Sequence, residues 1–392
     1  MSQTTADLLT SRVLEAVSEV LGDAPRPVPL HIPTFGGNCW DYVKECLDTG
    51  WVSSVGSYVT RFEEDIAAYT GAKHAVAVVN GTAGLHIALM IAGVEPGDEV
   101  LSPSLTFVAT ANAISYCNAV PHFVDVDPVN LGIDPAAIDA YLASDSEMRD
   151  DGFCYNKQTG RRIRALCGMH AFGHPFDIEA AAALCAKYNL AFVEDAAESL
   201  GSLYKGKHTG TFGQVGVISF NGNKIITTGG GGMIVTDDDE LAGRAKHITT
   251  TAKQPHRWAY VHDQVGYNYR MPNLNAALGC AQLEQIDQML ESKRALAQRY
   301  IDAMGSVEGV SMLVEPADTR SNYWFSSLVL DSEHAPLRDR LLETLCDAKL
   351  LVRPVWDPMH TLPMYAQCPR MDLPATEDLA SRVINLPSSA GL

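Results

Sequence analysis

The chain has 392 residues, 46% of them hydrophobic, and its 47 acidic and 29 basic side chains give a formal net charge of −18. At about 150 residues per domain this length suggests two or three domains, or a single large α/β unit, and the composition is too apolar for a disordered chain. The charge argues against nucleic acid or an anionic membrane as partner, since both reward a cationic face; it leaves open a small anionic ligand held in a local pocket. Nine cysteines stand singly, with no CxxC pair, the pattern of reduced thiols in a cytoplasmic protein. The first 27 residues lack the basic and apolar regions of a signal peptide, and no run of about 18 apolar residues exists to span a membrane. These features lead to the expectation of a soluble cytoplasmic protein.

Leu9, Val13, Val17, Val20 and Leu21 recur at helical spacing and predict an amphipathic helix ending before Pro25. From residue 70 short β-branched runs alternate with helical stretches. Strands are expected at 74–80, 98–104, 120–127, 161–170 and 190–197, with helices at 82–93, 106–117, 134–143 and 177–189 between them. This alternation implies a mainly parallel sheet covered by helices. The glycine-punctuated stretch 201–220 suggests hairpin-like strands beside the sheet. A strand in GGMIVTD and a helix opening on Asp237, Asp238 and Asp239 follow. Pro272 is expected to open a helix of about thirty residues linking to a small C-terminal α/β domain, with strands at 324–330 and 350–356, a helix at 336–349 and a proline-rich end. The expected division is an N-terminal helical extension (1–29), a large domain (30–270), and a linking helix with the small domain (271–392).

Two stretches concentrate the chemistry. AFVEDAAESLGS puts Asp195 and Glu198 just past a strand end, where open α/β sheets bind ligands. VGVISFNGNKIITTGGGG ends a strand on Ser219 and delivers Lys224 into a turn of small polar residues and glycines. Taken singly, each residue is ordinary: a surface lysine, a capping aspartate. Together they meet the needs of pyridoxal 5′-phosphate: a lysine to form a Schiff base, and a carboxylate to keep the pyridine nitrogen protonated so that the ring accepts electrons. The phosphate calls for hydroxyls and backbone N–H groups at a helix N-terminus. Gly81-Thr82-Ala83, between a strand and a helix, has that placement; Ser219 is a second phosphate candidate, and Phe107 could stack on the ring.

In chain order, NGTAGL, PSLTFVATANAI, VEDAAESLGS, SFNGNK with its glycines, and GYNYRMPNLNAALG resemble the DegT/StrS family of sugar-nucleotide aminotransferases over roughly residues 30 to 310, and more weakly to the end. The resemblance implies a fold type I PLP-dependent transferase, a homodimer with active sites at the subunit interface. It also implies site roles: Lys224 as the catalytic, Schiff-base lysine, Asp195 as the pyridinium partner, and Glu198 beside the cofactor's phenolic oxygen. Thr82, Ala83 and Ser219 fall at the phosphate, Phe107 over the ring, and Asn268 reaches the phosphate from the partner subunit. Thr228 to Gly232 depart from the Thr-Gly-Glu-Gly-Gly of many relatives; this version resembles the subgroup acting on nucleotide-linked 4-keto-6-deoxy sugars. A dehydratase branch carries His at the position of Lys224, so the lysine favours transamination.

Three other motifs fail on context. Gly201 to Lys207 begins like a P-loop, but His208 replaces Ser/Thr and no helix follows. Cys167, His170 and His174 have zinc-like spacing without an evident fourth ligand, so no metal is expected. The glycines 229–232 precede a strand, which removes a dinucleotide fingerprint. Asn322-Tyr323-Trp324 and Arg353 through His360 are candidates for substrate contact, with packing of a small domain on a large one as the competing explanation. The expected function is therefore PLP-dependent transfer of an amino group from L-glutamate to a keto-deoxy sugar nucleotide, in surface-polysaccharide or amino-sugar biosynthesis. A PLP-dependent sugar dehydratase and a non-catalytic sugar-nucleotide-binding regulator are the alternatives.

Overall fold

The structure, a computed structural model, describes residues 3–392. Its strands in chain order are β1 (His74–Val78), β2 (Glu99–Pro103), β3 (Val120–Val124), β4 (Ser146–Met148), β5 (Cys154–Asn156), β6 (Arg162–Met169), β7 (Ala191–Asp195), β8 (Leu203–Tyr204), β9 (Lys207–His208), β10 (Val215–Ser219), β11 (Gly232–Thr236), β12 (Val310–Met312), β13 (Thr319–Arg320), β14 (Ser326–Leu330), β15 (Arg353–Pro354) and β16 (Val383–Leu386). The central sheet runs β1-β11-β10-β7-β6-β2-β3, with β4 and β5 attached beside β6. From β10 to β3 neighbouring strands are parallel; β11 is antiparallel to both β10 and β1. All residues of β7 and β10 are buried, as befits strands covered on both faces.

The register positions the site. β10 and β7 run the same way, so Asp195 and Ser219 end at one edge of the sheet. Val78 and Ser219 both pair with Gly232, so the chain leaving β1 begins the helix Gly81–Ile91 beside Ser219. The expected strand–helix alternation up to residue 197 is found, with boundaries shifted by a few residues.

The helices Cys39–Thr49 and Ser57–Thr70 and the hairpin of β4 and β5 were not expected, and three expected elements take another form. The helix expected to run for about thirty residues from Pro272 is two helices, Asn273–Leu283 and Ile286–Met304. Tertiary bonds hold the break: Glu284 accepts from Asn38, Tyr42 and Arg61, and Gln285 Nε2 donates to Gly36 O. The 201–220 stretch divides, with β8 and β9 joining β13 in a separate three-stranded sheet while β10 enters the main sheet. The proline-rich end contains the helix Pro374–Ala380 and β16, an inner strand of the antiparallel sheet β12-β14-β16-β15.

The N-terminal helix spans Gln3–Leu21. It does not stand apart as an extension, because Leu9, Val13 and Val17 share one buried cluster with Leu296, Tyr300, Leu328, Leu341 and Leu386. Its apolar stripe packs on the helices Ile286–Met304 and Arg338–Asp347, which share the buried cluster with the C-terminal sheet. Among the described residues no helix is long and apolar enough to cross a membrane.

Candidate active site

A cavity of about 600 Å³ opens at the sheet edge where β7 and β10 end. The mouth of the helix Gly81–Ile91 contributes Gly81 and Thr82, β7 and its exit contribute Asp195 and Glu198, and β10 with the following turn contributes Ser219 and Lys224. Phe107 lines it from the start of the helix Val108–Tyr116, and Trp324, Arg353 and Trp356 close it from the C-terminal part of the chain.

Three of its five charged lining groups, Asp195, Glu198 and Lys224, come from β7, β10 and the turns that follow them. Asp195 Oδ2 accepts from Thr110 Oγ1 at 2.7 Å and Oδ1 from Ala197 N–H at 3.1 Å. Burial still raises its carboxyl above the usual range, against the opposing pull of those bonds and of Lys224. Glu198 Oε2 accepts the N–H of Phe172 at 2.9 Å and Oε1 lies 3.2 Å from Lys224 Nζ. Burial pushes this carboxyl up to about 7, with Lys224 acting in the opposite direction. Lys224 Nζ also sits 3.7 Å from the ring centroid of Trp324.

At the other end, Asn80 caps the helix by accepting Ala83 N–H at 2.8 Å. The leading N–H groups of Gly81 and Thr82 have no intrahelical acceptor, and the helix dipole adds partial positive charge there. A Cβ on residue 81 would come within 3.0 Å of Ser219 Cβ, so glycine lets the helix mouth meet the serine hydroxyl closely. These residues fit pyridoxal phosphate. A helix mouth with a hydroxyl suits its phosphate, and a lysine amine is in reach for covalent attachment. A buried carboxylate held above its usual range gains by meeting a cationic ring nitrogen.

The structure brings Gly81, Thr82, Phe107, Asp195, Glu198, Ser219 and Lys224 to one cavity. Ala83 does not line it, and its N–H is taken by Asn80. Asn268 lies outside the lining on an exposed segment bridged to Thr250; the resemblance assigns it to the partner's site. Of the C-terminal candidates, Trp324, Arg353 and Trp356 line the cavity. Asn322 does not: its Nδ2 donates to Glu198 O and Leu200 O, bracing the loop that carries Glu198. Tyr323 packs edge-on against His174, and His360 Nδ1 meets Ser104 Oγ at 2.8 Å.

Two residues of the rejected motifs have other partners. Lys207 Nζ donates to Thr211 O, and His170 stacks on Phe176 and bonds Glu194. Sequence reasoning missed Thr110, Asn221, Asn223, Met169 and Leu30. Thr110 lies in the quoted PSLTFVATANAI stretch, but nothing there announces a contact with Asp195, 85 residues away.

Comparison with known proteins agrees with this geometry. The model of the DegT/DnrJ/EryC1/StrS aminotransferase family matches residues 34–392. A GDP-perosamine synthase of Escherichia coli O157:H7 is 40% identical over 365 residues, 93% of this chain and 94% of the relative. The GDP-perosamine synthase of Caulobacter vibrioides is 38% identical, covering 95% of each chain. Among solved structures, the aminotransferase TlmJ from Streptoalloteichus hindustanus superposes with a TM-score of 0.83 at 30% identity, over 93% of this chain and 94% of its own.

Proposed function

The chain belongs to the DegT/DnrJ/EryC1/StrS aminotransferase family, and from that premise we propose that it transfers the amino group of L-glutamate to the C4 ketone of a GDP-linked 4-keto-6-deoxy sugar. That it is a PLP-dependent transaminase follows from the family; donor, carbon and nucleotide are the proposal. The names of the two GDP-perosamine synthases support the nucleotide. The observation that carries the reading is the meeting of Lys224, Asp195, Glu198, Ser219 and the Gly81 helix mouth in one cavity.

When bound, pyridoxal phosphate supplies an electron sink for the pair left on the substrate carbon as its proton departs. The chain's own groups do the rest. Gly81 and Thr82 N–H and the Ser219 hydroxyl would hold the phosphate, Phe107 would cover the ring, and Asp195 would keep a proton on the ring nitrogen. Glu198 would serve the phenolic oxygen. Lys224 Nζ would take the proton from the α-carbon of glutamate and deliver it to the cofactor's C4′ carbon, acting as base and then acid. With 2-oxoglutarate gone and the sugar ketone in place, the same transfers run in reverse. Arg353, with Lys224 the second cation of the lining, meets the diphosphate, and Trp356, 4.6 Å from the Phe172 ring, forms an aromatic wall beside it.

The proposal includes a homodimer in the cytoplasm. Exposed apolar side chains such as Trp40, Trp258 and Tyr260 and the position of Asn268 outside its own chain's cavity support the dimer; nine free cysteines support a reducing compartment. The test is incubation with PLP, glutamate and a panel of keto-sugar nucleotides. The 4-keto-6-deoxy GDP sugar should yield a 4-amino sugar and one 2-oxoglutarate each. Loss of a sugar hydroxyl with no amine gained would establish the dehydratase reading instead, and no reaction with any keto sugar would sink both.

A further inference from the structure

Trp324 has a relation to Lys224 that the proposed chemistry leaves unexplained. Its ring centroid lies 3.7 Å from Nζ, well within cation–π range. The indole is restrained on several sides. Nε1–H donates to Asn223 O at 2.6 Å, and the main-chain N–H to Asn322 Oδ1 at 2.8 Å. One face stacks on Phe325, with centroids 3.9 Å apart and planes at 23°. The carbonyl of Trp324 accepts from Lys293 Nζ at 3.1 Å. Lys293 is fully buried on the helix Ile286–Met304 and also bonds the carbonyl of Ser388. Asn223 is the residue before Lys224, so the indole N–H grips the very turn that carries the lysine.

A tryptophan that merely fills a core needs apolar neighbours and one acceptor for its N–H. It does not need to present a ring to a lysine amine. Resting on the function proposed above, we infer that Trp324 is the positioning residue of Lys224, its indole holding the amine in line with the reacting carbon while the amine is unbonded. The lysine side chain has four rotatable bonds, and orientation of a reacting group is a large part of a barrier. The ring face also attracts the ammonium formed each time Nζ has taken its proton. Asn223 in turn fixes the indole, and Lys293 the main chain that carries it.

The test compares wild type with Trp324→Leu, which removes the ring, and Trp324→Phe, which keeps a ring but loses the N–H. One reading is the rate at which added PLP becomes covalently attached to Lys224 in cofactor-free protein, followed by absorbance and verified by borohydride fixation and peptide mass. The other is kcat and KM for glutamate. Trp324→Leu should slow attachment and lower kcat about tenfold each, with KM changed less than about twofold, and Trp324→Phe should recover to within about threefold of wild type. A Leu variant within about twofold of wild type in both readings, or a Phe variant as impaired as Leu, overturns the inference. Should the Leu variant fail to fold, Trp324→Met takes its place under the same criteria. A wild-type protein that never attaches PLP would refute the proposed function; a wild type that attaches it, with an unimpaired Leu variant, refutes only the role of Trp324.

Discussion

At Glu198 desolvation outweighs a neighbouring charge. The carboxyl sits 3.2 Å from Lys224 Nζ and accepts the Phe172 N–H, yet its removal from water moves it up to about 7. The folded protein therefore holds a proton that the unfolded chain has already released above about 4.5. Its contribution to stability is full below that value and lost as pH rises towards 7. Glu198→Gln in the cofactor-free protein should accordingly gain in melting temperature relative to wild type between pH 5 and pH 8; a gap that is constant with pH would show that Glu198 does not titrate there. Lys224→Ala should keep the fold and lower kcat by at least about 10²–10⁴-fold, the range for a missing acid–base group; a circular-dichroism spectrum and a turnover assay check both halves. Lys224 and Asp195 were legible in the sequence as a pair, Asp195 closing one strand and Lys224 standing in a glycine-rich turn five residues after another. Thr110 was not, since its bond to Asp195 exists only once β7 and the helix Val108–Tyr116 are assembled. Arg353 could be read only as one of two alternatives, substrate contact or packing, because its neighbours come from distant parts of the chain.

The helix Gly81–Ile91 is the element on which the anion site depends, and Asn80 and Gly84 place it. A Cβ at position 84 would lie 2.7 Å from Val217 Cγ1 and 3.3 Å from Val78 Cγ2, so glycine allows the helix to lie against β10 and β1. Gly84→Ala should lift it, destabilise the protein by about 1–3 kcal/mol in urea unfolding, and weaken PLP binding because the N–H groups at its mouth move from Ser219. A variant with wild-type stability and affinity would show that the helix has slack. Elements with strong local signals were readable: buried β-branched strands, capped helices, and Pro272 before a helix. The break at Glu284 and Gln285 was not, because periodicity continues through it and the contacts that impose it come from Gly36, Asn38, Tyr42 and Arg61, more than 220 positions away in sequence. β16 was hidden for a related reason. Its four residues carry no alternation, and their strand state comes from pairing with β14 and β15.

Over the whole molecule, the net charge of −18 is not reversed inside the cavity. Its lining carries Lys224 and Arg353 against Asp195, Glu198 and Asp357, so a phosphorylated cofactor must rely on the helix mouth and hydroxyls, and the sugar diphosphate on Arg353. Arg353→Met should raise KM for the sugar nucleotide about tenfold or more, the loss of a charge-assisted bond, while leaving the glutamate half-reaction unchanged; equal damage to both halves would place Arg353 elsewhere in the mechanism. Alternation made a mainly parallel α/β sheet legible, and the resemblance made fold type I legible, but the sharing of one core by the N-terminal helix and the C-terminal sheet was not, since the two lie at opposite ends of the chain. The central claim, transamination through a cofactor carried on Lys224, is tested most directly by borohydride fixation of the PLP-loaded protein before and after glutamate, with peptide mass as the readout. Transamination through Lys224 should give a phosphopyridoxyl group on Lys224 before glutamate and its disappearance afterwards, as the cofactor leaves the lysine carrying the amino group. Label on another residue, or label on Lys224 that glutamate does not remove, would contradict it.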